Sequence, residues 1–449
     1  MKDQVKRWMD ETVEQHHLTG LAVGVLHGDE RVELATGWVN KEAGIEARPD
    51  AVHQIGSITK VYTTTIVNRL LTEGGLSLDD PLPDLVPELR LKGDPDLSGV
   101  RVRHLLTHTS GLPGDAFLET GEGDENLARW IEALAGEDAT LEAEPGVRWS
   151  YCNTAFSLLG RIVEHRMGIP FRQAMRDVVT RPLGILTPVV TAREALRFRV
   201  AVGHVRTPDG ESLSRPWAAL PVSSAPAGST PTARVGDVLT FARAHLDPAD
   251  DRLGSRASLD ALQEAQVDMP SSMADSQALG WMIHVTTPKV IGHGGSTQTQ
   301  NAMLLASADP SFITIVLSND LHGGRAIRHL TRTLWGELAG VDLFADPVET
   351  ALDDAFDVSL LAGTYERYGC RVDVASGQGR GLGIRVATTT AGETVTMDLE
   401  QVAPTSADGR RWMARQPLQD AVSSIEFREW DHGRPFVLHF GGRANLRRD

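Results

Sequence analysis

Cysteine is almost missing from this chain of 449 residues: it has two, Cys152 and Cys370. Two cysteines build no disulfide framework, and two free thiols in a reducing compartment are the simpler reading. Basic charge is also short. Lysine and arginine number 44 against 60 acidic residues, a net charge of −16. Such a field repels phosphate, so nucleic acid and anionic membrane surfaces are excluded as general partners. No apolar run approaches the length of a membrane span. The first residues, Met1 to His17, mix acids and bases and lack an apolar core. They predict a surface helix rather than a signal peptide, and a cytoplasmic protein. No metal or organic cofactor is implied: His16-His17 are neighbours that share no helix face. His104 and His108 stand at i, i+4 without a third ligand, which reads as packing.

What is present is a chain of two textures. Residues 2–16 place Val5, Trp8, Met9 and Val13 on one helical face. Leu21–Leu26 and Arg31–Trp38 predict a hairpin around His27-Gly28-Asp29-Glu30. An apolar-periodic helix follows Ser57 and ends at Gly74-Gly75, a loop spans Leu76–Leu89, and Val102–His108 reads as helical. From 125 to 245 the period is mostly helical, with helices near 127–134, 155–166, 171–179 and 235–246. A Pro-, Ser- and Thr-rich loop near 206–233 is placed to line a cleft. Short strand runs return at 279–285, 289–292, 300–305 and 311–318, then a closing helix at 327–338. One sheet assembled from both ends of the chain around a helical insertion explains this order, an α+β fold. Composition changes over 340–357, and seven short strand runs follow between 363 and 440. They predict a small antiparallel β-barrel. The expected division is a catalytic domain over 1–342 and a barrel over 356–449. Gly377-Gln378-Gly379-Arg380-Gly381 lacks a strand–loop–helix context and reads as a hairpin turn.

Three separated motifs carry chemistry. In Ser57-x-x-Lys60, hydroxyl and amine meet on one helix face, and the backbone N–H groups at a helix start favour developing negative charge. Tyr151-Cys152-Asn153 offers a phenol able to shuttle protons and an amide able to orient an amine or a carbonyl. Cys152 reads as packing, because a buried thiol without an activating partner is inert. His293-Gly294-Gly295-Ser296 ends a strand, where paired glycines let a ligand approach the backbone. A substrate carbonyl along that edge would take one N–H from the strand and another from Ser57, an oxyanion hole.

In this order the motifs resemble the serine β-lactamase and penicillin-binding-protein superfamily, nearest its class C branch. The segment from Val102 to Leu112, Arg181-Pro182-Leu183-Gly184 and Pro226-Ala227-Gly228-Ser229 add to the likeness, which spans residues 5–340. The resemblance implies a β-lactamase-like α/β sandwich, with an antiparallel sheet flanked by helices and an all-helical subdomain. It implies an acyl-enzyme on Ser57, acid–base work by Lys60 and Tyr151, positioning by Asn153, and an oxyanion site on the Ser57 and Ser296 N–H groups beside Gly295. It includes His293 in the catalytic set, at the place where the family usually has the lysine of Lys-Thr-Gly. That lysine grips a substrate carboxylate and a neutral imidazole does not, so esters, amides and peptides are the expected substrates. The C-terminal part is similar to the lipocalin-like barrels appended to some peptidases and cyclases of this superfamily.

Three functions follow. One is a serine hydrolase or acyl transferase of the esterase, D-stereospecific amidase or peptidase type, with a small-molecule or peptide acyl substrate. Another is a penicillin-binding-protein-type thioesterase that cyclises a peptide delivered on a carrier protein. The third is a non-catalytic sensor that stops at the acyl stage.

Overall fold

Leu21, Val23 and Val25 alternate with Ala22, Gly24 and Leu26, and this period of two decides which layer each side chain meets. The first set packs on the helices Lys2–His16 and Gly323–Ala339 with Val5, Met9, Phe312, Val316 and Trp335. Ala22 and Leu26 face the opposite layer, with Leu239, Leu304, Ile313 and Ile315. The strand carrying them, Gly20–His27, thus lies between helices on both faces. In the computed structural model it pairs on one side with Glu30–Asn40, with Leu21 opposite Thr36. On the other it pairs with Phe312–Ser318, with Val25 opposite Thr314. The two ends of the stretch from Gly20 to Ser318 therefore meet in one antiparallel sheet of nine strands. The structure describes residues 1–207, 212–215, 220–270, 273–345, 347–377, 380–390, 393–417 and 421–448.

Helix Thr59–Thr72 runs through the centre of the larger core, with Val61, Tyr62, Ile66 and Val67 fully covered. Thr59, Thr63 and Thr65 are covered too, and bonds satisfy them: Thr59 donates to Gly56 O at 2.8 Å, Thr63 to Pro226 O at 2.7 Å and Thr65 to Val61 O at 2.8 Å, while Thr64 Oγ1 is buried without a partner. A helix buried on all sides is held rigidly, which suits the residues at its start. Two expected spans differ. The loop over 76–89 contains a helical turn, Leu82–Leu85, and the helix from Val102 stops at Leu106.

A second antiparallel sheet of nine strands occupies residues 363–447. Two strands beyond the seven expected runs, Glu400–Pro404 and Arg443–Arg447, complete it. The sheet curls around Tyr365, Val372, Ile384, Trp412, Phe427 and Leu438. Its outermost strands, Glu393–Asp398 and Glu400–Pro404, are consecutive in the chain, and Leu399 N between them donates to Ile384 O at 2.8 Å. The barrel is nearly closed, which hides most strand edges. In the glycine-rich stretch, Gln378 and Gly379 lie outside the described residues; the flanking strands Cys370–Ser376 and Leu382–Thr390 pair antiparallel. Of the expected 206–233 loop, 208–211 and 216–219 likewise lie outside, and Gly203–Arg206 pairs with Ser212–Arg215. Among the described residues, no helix is long and apolar enough to cross a membrane.

Burial makes stability pH-dependent. His53 and His284 are pushed down to about 4 and His245, His293 and His439 to about 3, chiefly by desolvation. His108 lies well below 6.5 for the same leading reason. Unfolded, each titrates near 6.5, so between that pH and about 4 the unfolded chain binds more protons. Stability then falls as pH falls, by up to about 1.4 kcal/mol per unit for each group. Glu142 and Glu164 oppose this: burial raises Glu142 from 4.5 to about 7 and Glu164 above 4.5, so their contributions grow as pH falls through those ranges. The histidines outnumber them. Calorimetry should show the melting temperature dropping steeply from pH 6.5 to 4.5, and a flat profile would contradict this account.

Candidate active site

Three glycines let three stretches of backbone touch where Ser57 sits. Gly56 has φ +53°, and a side-chain carbon there would lie 2.6 Å from Ser296 N. One on Gly295 would lie 2.0 Å from Ile55 O, and one on Gly228, at φ +113°, 2.8 Å from Ser57 N. Larger residues would force the turn Gly56–Ile58 away from the end of strand Val290–Ser296. Ser57 is on this 3₁₀ turn, just ahead of the helix Thr59–Thr72. It is half-buried, and Ser296 at the strand's end is exposed. The two residues whose N–H groups were expected to hold an oxyanion thus belong to backbones in contact. A cavity of about 380 Å³ continues from Thr297, lined also by Gln54, Val205, Arg215 and Leu220.

Lys60 is wholly covered, and its Nζ has three partners: Ser57 Oγ at 3.0 Å, Asn153 Oδ1 at 2.6 Å and Ala227 O at 2.6 Å. Desolvation first, and the charge of Arg443 second, hold its pKa well below 10.5, while Asp115 and Cys152 act the other way. Tyr151 presents its ring to Lys60, with Nζ 4.7 Å from the centroid. Its hydroxyl has no hydrogen-bond partner within bonding distance. Burial raises its pKa, and the Ser57 hydroxyl, near enough to act, lowers it. Asn153 opens the helix Asn153–Met167 and uses both ends of its amide: Oδ1 accepts from Lys60, and Nδ2 donates to Asp115 at 2.6 Å. Cys152 points away, its sulfur accepting from Ala155 N at 3.3 Å as the cap of that helix. Burial pushes its thiol up to about 12, where no thiolate forms near neutrality.

His293 is 1% exposed, and its ring centroid lies 6.1 Å from that of Tyr151. Nδ1–H donates to Gly294 O, so the neutral ring turns the lone pair of Nε2 inward, where it has no partner. Desolvation and then the nearby Lys60 bring its pKa down to about 3. At neutral pH it carries no charge with which to grip a carboxylate.

Sequence reasoning passed over two features. His108 is not paired with His104, whose Nδ1 accepts from Arg101 N at 3.2 Å. His108 has φ +59° beyond the helix end, and its Nδ1 accepts from Cys152 N at 3.0 Å. Its ring lies 4.3 Å from that of Tyr151, so it braces the Tyr151–Asn153 stretch. Its signal was the Thr107-His108-Thr109-Ser110-Gly111 text rather than the histidine spacing. Asp115, Arg367 and Arg443 were also missed. Arg443 donates to Asp115 at 2.7 and 3.0 Å, and Arg367 lies 3.3 Å from it. Nothing local in the sequence marks a contact across 328 positions.

A serine hydroxyl bonded to a covered lysine, at the seam of a helix-flanked antiparallel sheet, places the molecule among the active-site serine hydrolases. The chain belongs to the Beta-lactamase family, whose profile matches residues 5–334. It is 37% identical over 371 residues to penicillin-binding protein 4 of Amycolatopsis lactamdurans, covering 79% of this chain and 95% of that protein. It is 27% identical to the D-alanyl-D-alanine-carboxypeptidase/endopeptidase AmpH of Escherichia coli K12, over 70% of this chain and 84% of that one. Among solved structures, SurE with D-Leu superposes with a TM-score of 0.76 at 27% identity, covering 99% of both chains.

Proposed function

We propose that this enzyme forms an acyl-enzyme on Ser57 from an ester or amide of a D-configured residue, and passes the acyl group to water or an amine. The observation that carries the reading is the set of partners on Lys60 Nζ. A neutral amine has two hydrogens and one lone pair. The carbonyl oxygens of Asn153 and Ala227 can only accept, so they take the two hydrogens. The lone pair is left for the third partner, Ser57 Oγ–H. As Ser57 Oγ bonds to the substrate carbonyl carbon, its proton passes to Lys60, and the carbonyl oxygen takes the negative charge beside the Ser57 and Ser296 N–H groups. Collapse breaks the bond to the leaving group, which takes a proton from the Lys60 ammonium by way of the Tyr151 hydroxyl. Water or an amine then attacks the acyl carbon and gives its proton to Lys60 by the same route; the bond to Ser57 Oγ breaks, and Oγ takes that proton back from Lys60.

AmpH is named for D-alanyl-D-alanine, and SurE is described with D-Leu; both support a D residue at the scissile bond. The neutral His293 supports a substrate held by its backbone and side chain rather than by a carboxylate. A second reading, release of a peptide by attack of its own amine, is supported by the barrel. Gly442 O accepts from Tyr151 N at 2.9 Å, so the barrel stands against the acyl site, where it would limit water. The likeness to SurE extends through that part of the chain. In this reading the acyl donor is a peptide thioester, carried on a protein or a small thiol.

Matched peptide thioesters ending in D-Leu and L-Leu, analysed by mass spectrometry, test both readings. The D substrate should be consumed faster, to free acid for a hydrolase or to a ring for a cyclase. Preference for L-Leu, or no consumption of either together with no adduct on Ser57, would overturn the proposal.

A further inference from the structure

Asp115 and Asn153 belong to the half of the chain that holds Ser57, yet the charges that fix them come from the barrel. Arg443 opens strand Arg443–Arg447 and Arg367 ends the neighbouring strand Gly363–Arg367. Their side chains, 21% and 8% exposed, converge on Asp115. Asp115 is held well below the usual carboxylate range: burial alone would raise it, but Arg443 and Arg367 outweigh burial. As a carboxylate it can only accept, so the Asn153 amide must turn its NH₂ toward Asp115 and its oxygen toward Lys60. Two guanidinium groups face the one carboxylate of Asp115, and Glu142, another acid that Arg367 acts on, is raised by burial to about 7; of the two arginines it is Arg443 that acts on Lys60. The guanidinium of Arg443 lies 5.0 Å from the Tyr151 ring centroid, and Lys60 Nζ lies 4.7 Å from it.

Resting on the acyl-enzyme reading above, we propose that the barrel supplies Arg443 as a positioning residue: acting through Asp115 and Asn153, it keeps the lone pair of Lys60 on Ser57. The guanidinium of Arg443 opposes protonation of the amine, and the fixed Asn153 oxygen orients it. The other groups facing Lys60 do not replace this action. Asp115 and Cys152 favour the protonated amine, the Tyr151 phenol is un-ionised, and His108 and His293 are neutral. The barrel is thereby part of the reaction centre. Two hydrogen bonds also tie it to the Tyr151 stretch, Tyr151 N donating to Gly442 O and Ala444 N to the Ser150 hydroxyl at 3.1 Å.

The rate at which a fluorophosphonate labels Ser57, measured from pH 5 to 10, tests this on the full chain. Arg443→Gln should move the acid limb up by about one pH unit, losing about tenfold on the acid side of the limb and nothing on the plateau above it. Arg443→Lys, which keeps the charge, should leave the limb within a few tenths of its place. Asp115→Asn should move it the opposite way. A merely structural Arg443 lowers the rate equally at every pH. That result, or limbs of Arg443→Gln and Asp115→Asn moving in the same direction, would overturn the proposal. If Arg443→Gln does not fold, the opposite displacements expected for Asp115→Asn and Arg367→Gln decide instead. Failure of the wild type to label at Ser57 would instead remove the acyl-enzyme reading beneath it.

Discussion

Ser57→Ala lowers kcat/KM by about 10⁴-fold or more and abolishes the mass adduct left by a fluorophosphonate. The reaction proposed here has one bond-forming atom on the protein, Ser57 Oγ, and alanine offers none in its place. What the variant keeps is binding along the Ser296 edge and the N–H groups beside it, which leave residual catalysis over water in other serine enzymes. Stability should scarcely change. Ser57 is half-buried, its hydroxyl bonds to Lys60, and that amine keeps Asn153 and Ala227 as partners. A melting temperature within a few degrees of wild type, with turnover gone, separates loss of the nucleophile from loss of the fold. Equal labelling of variant and wild type would take Ser57 out of the chemistry. A sensor stopped at the acyl stage predicts a third pattern: a stable adduct on the wild type and no turnover by either.

Where one local period decides the structure, the sequence was readable. Leu21–Leu26 announces a strand as a short apolar run that ends at a turn, and Ile327–Leu338 announces a helix covering it by its apolar stripe. The joining of both chain ends in one sheet followed from where strand runs and helices fall. Strands Glu400–Pro404 and Arg443–Arg447 escaped because neither has a run of β-branched or aromatic residues. They exist because their neighbours supply the pairing and the barrel needs closing. Leu82–Leu85 was too short to show a helical period and carries Pro83 at its start. In the site, Ser57 and Lys60 were visible because the contact is local, three residues along one turn. His104 and His108, read as packing, do not share a helix face, because the helix that would align them ends at Leu106 and the backbone reverses at His108. Arg443 is one of many arginines in a basic C-terminal stretch, and its burial against Asp115 exists only after the barrel docks.

Lys60→Met supplies the second large effect, and it tests the neutral amine without a substrate. Methionine matches the length of lysine and suits a site with no exposure, but it offers no lone pair able to take a proton. Loss of general-base catalysis lowers kcat by about 10²–10⁴-fold, and the acid limb of kcat/KM disappears with the group that titrates there. The stability comparison is the sharper test. Unfolded, Lys60 titrates near 10.5; folded, burial and Arg443 hold it well below that value. Between the folded value and 10.5 the unfolded wild type binds one more proton than the folded one, so wild-type stability rises with pH. Lys60→Met has no such proton. The wild type should therefore gain on the variant by about 1.4 kcal/mol for each pH unit within that window. Urea midpoints of the two proteins at pH 7, 8 and 9 measure it, with every other titrating group common to both and cancelling. A constant difference over those two units would mean that the amine stays protonated in the folded protein. Its three hydrogens would then all be donated, one of them to Ser57 Oγ, and the lysine could not receive the serine proton.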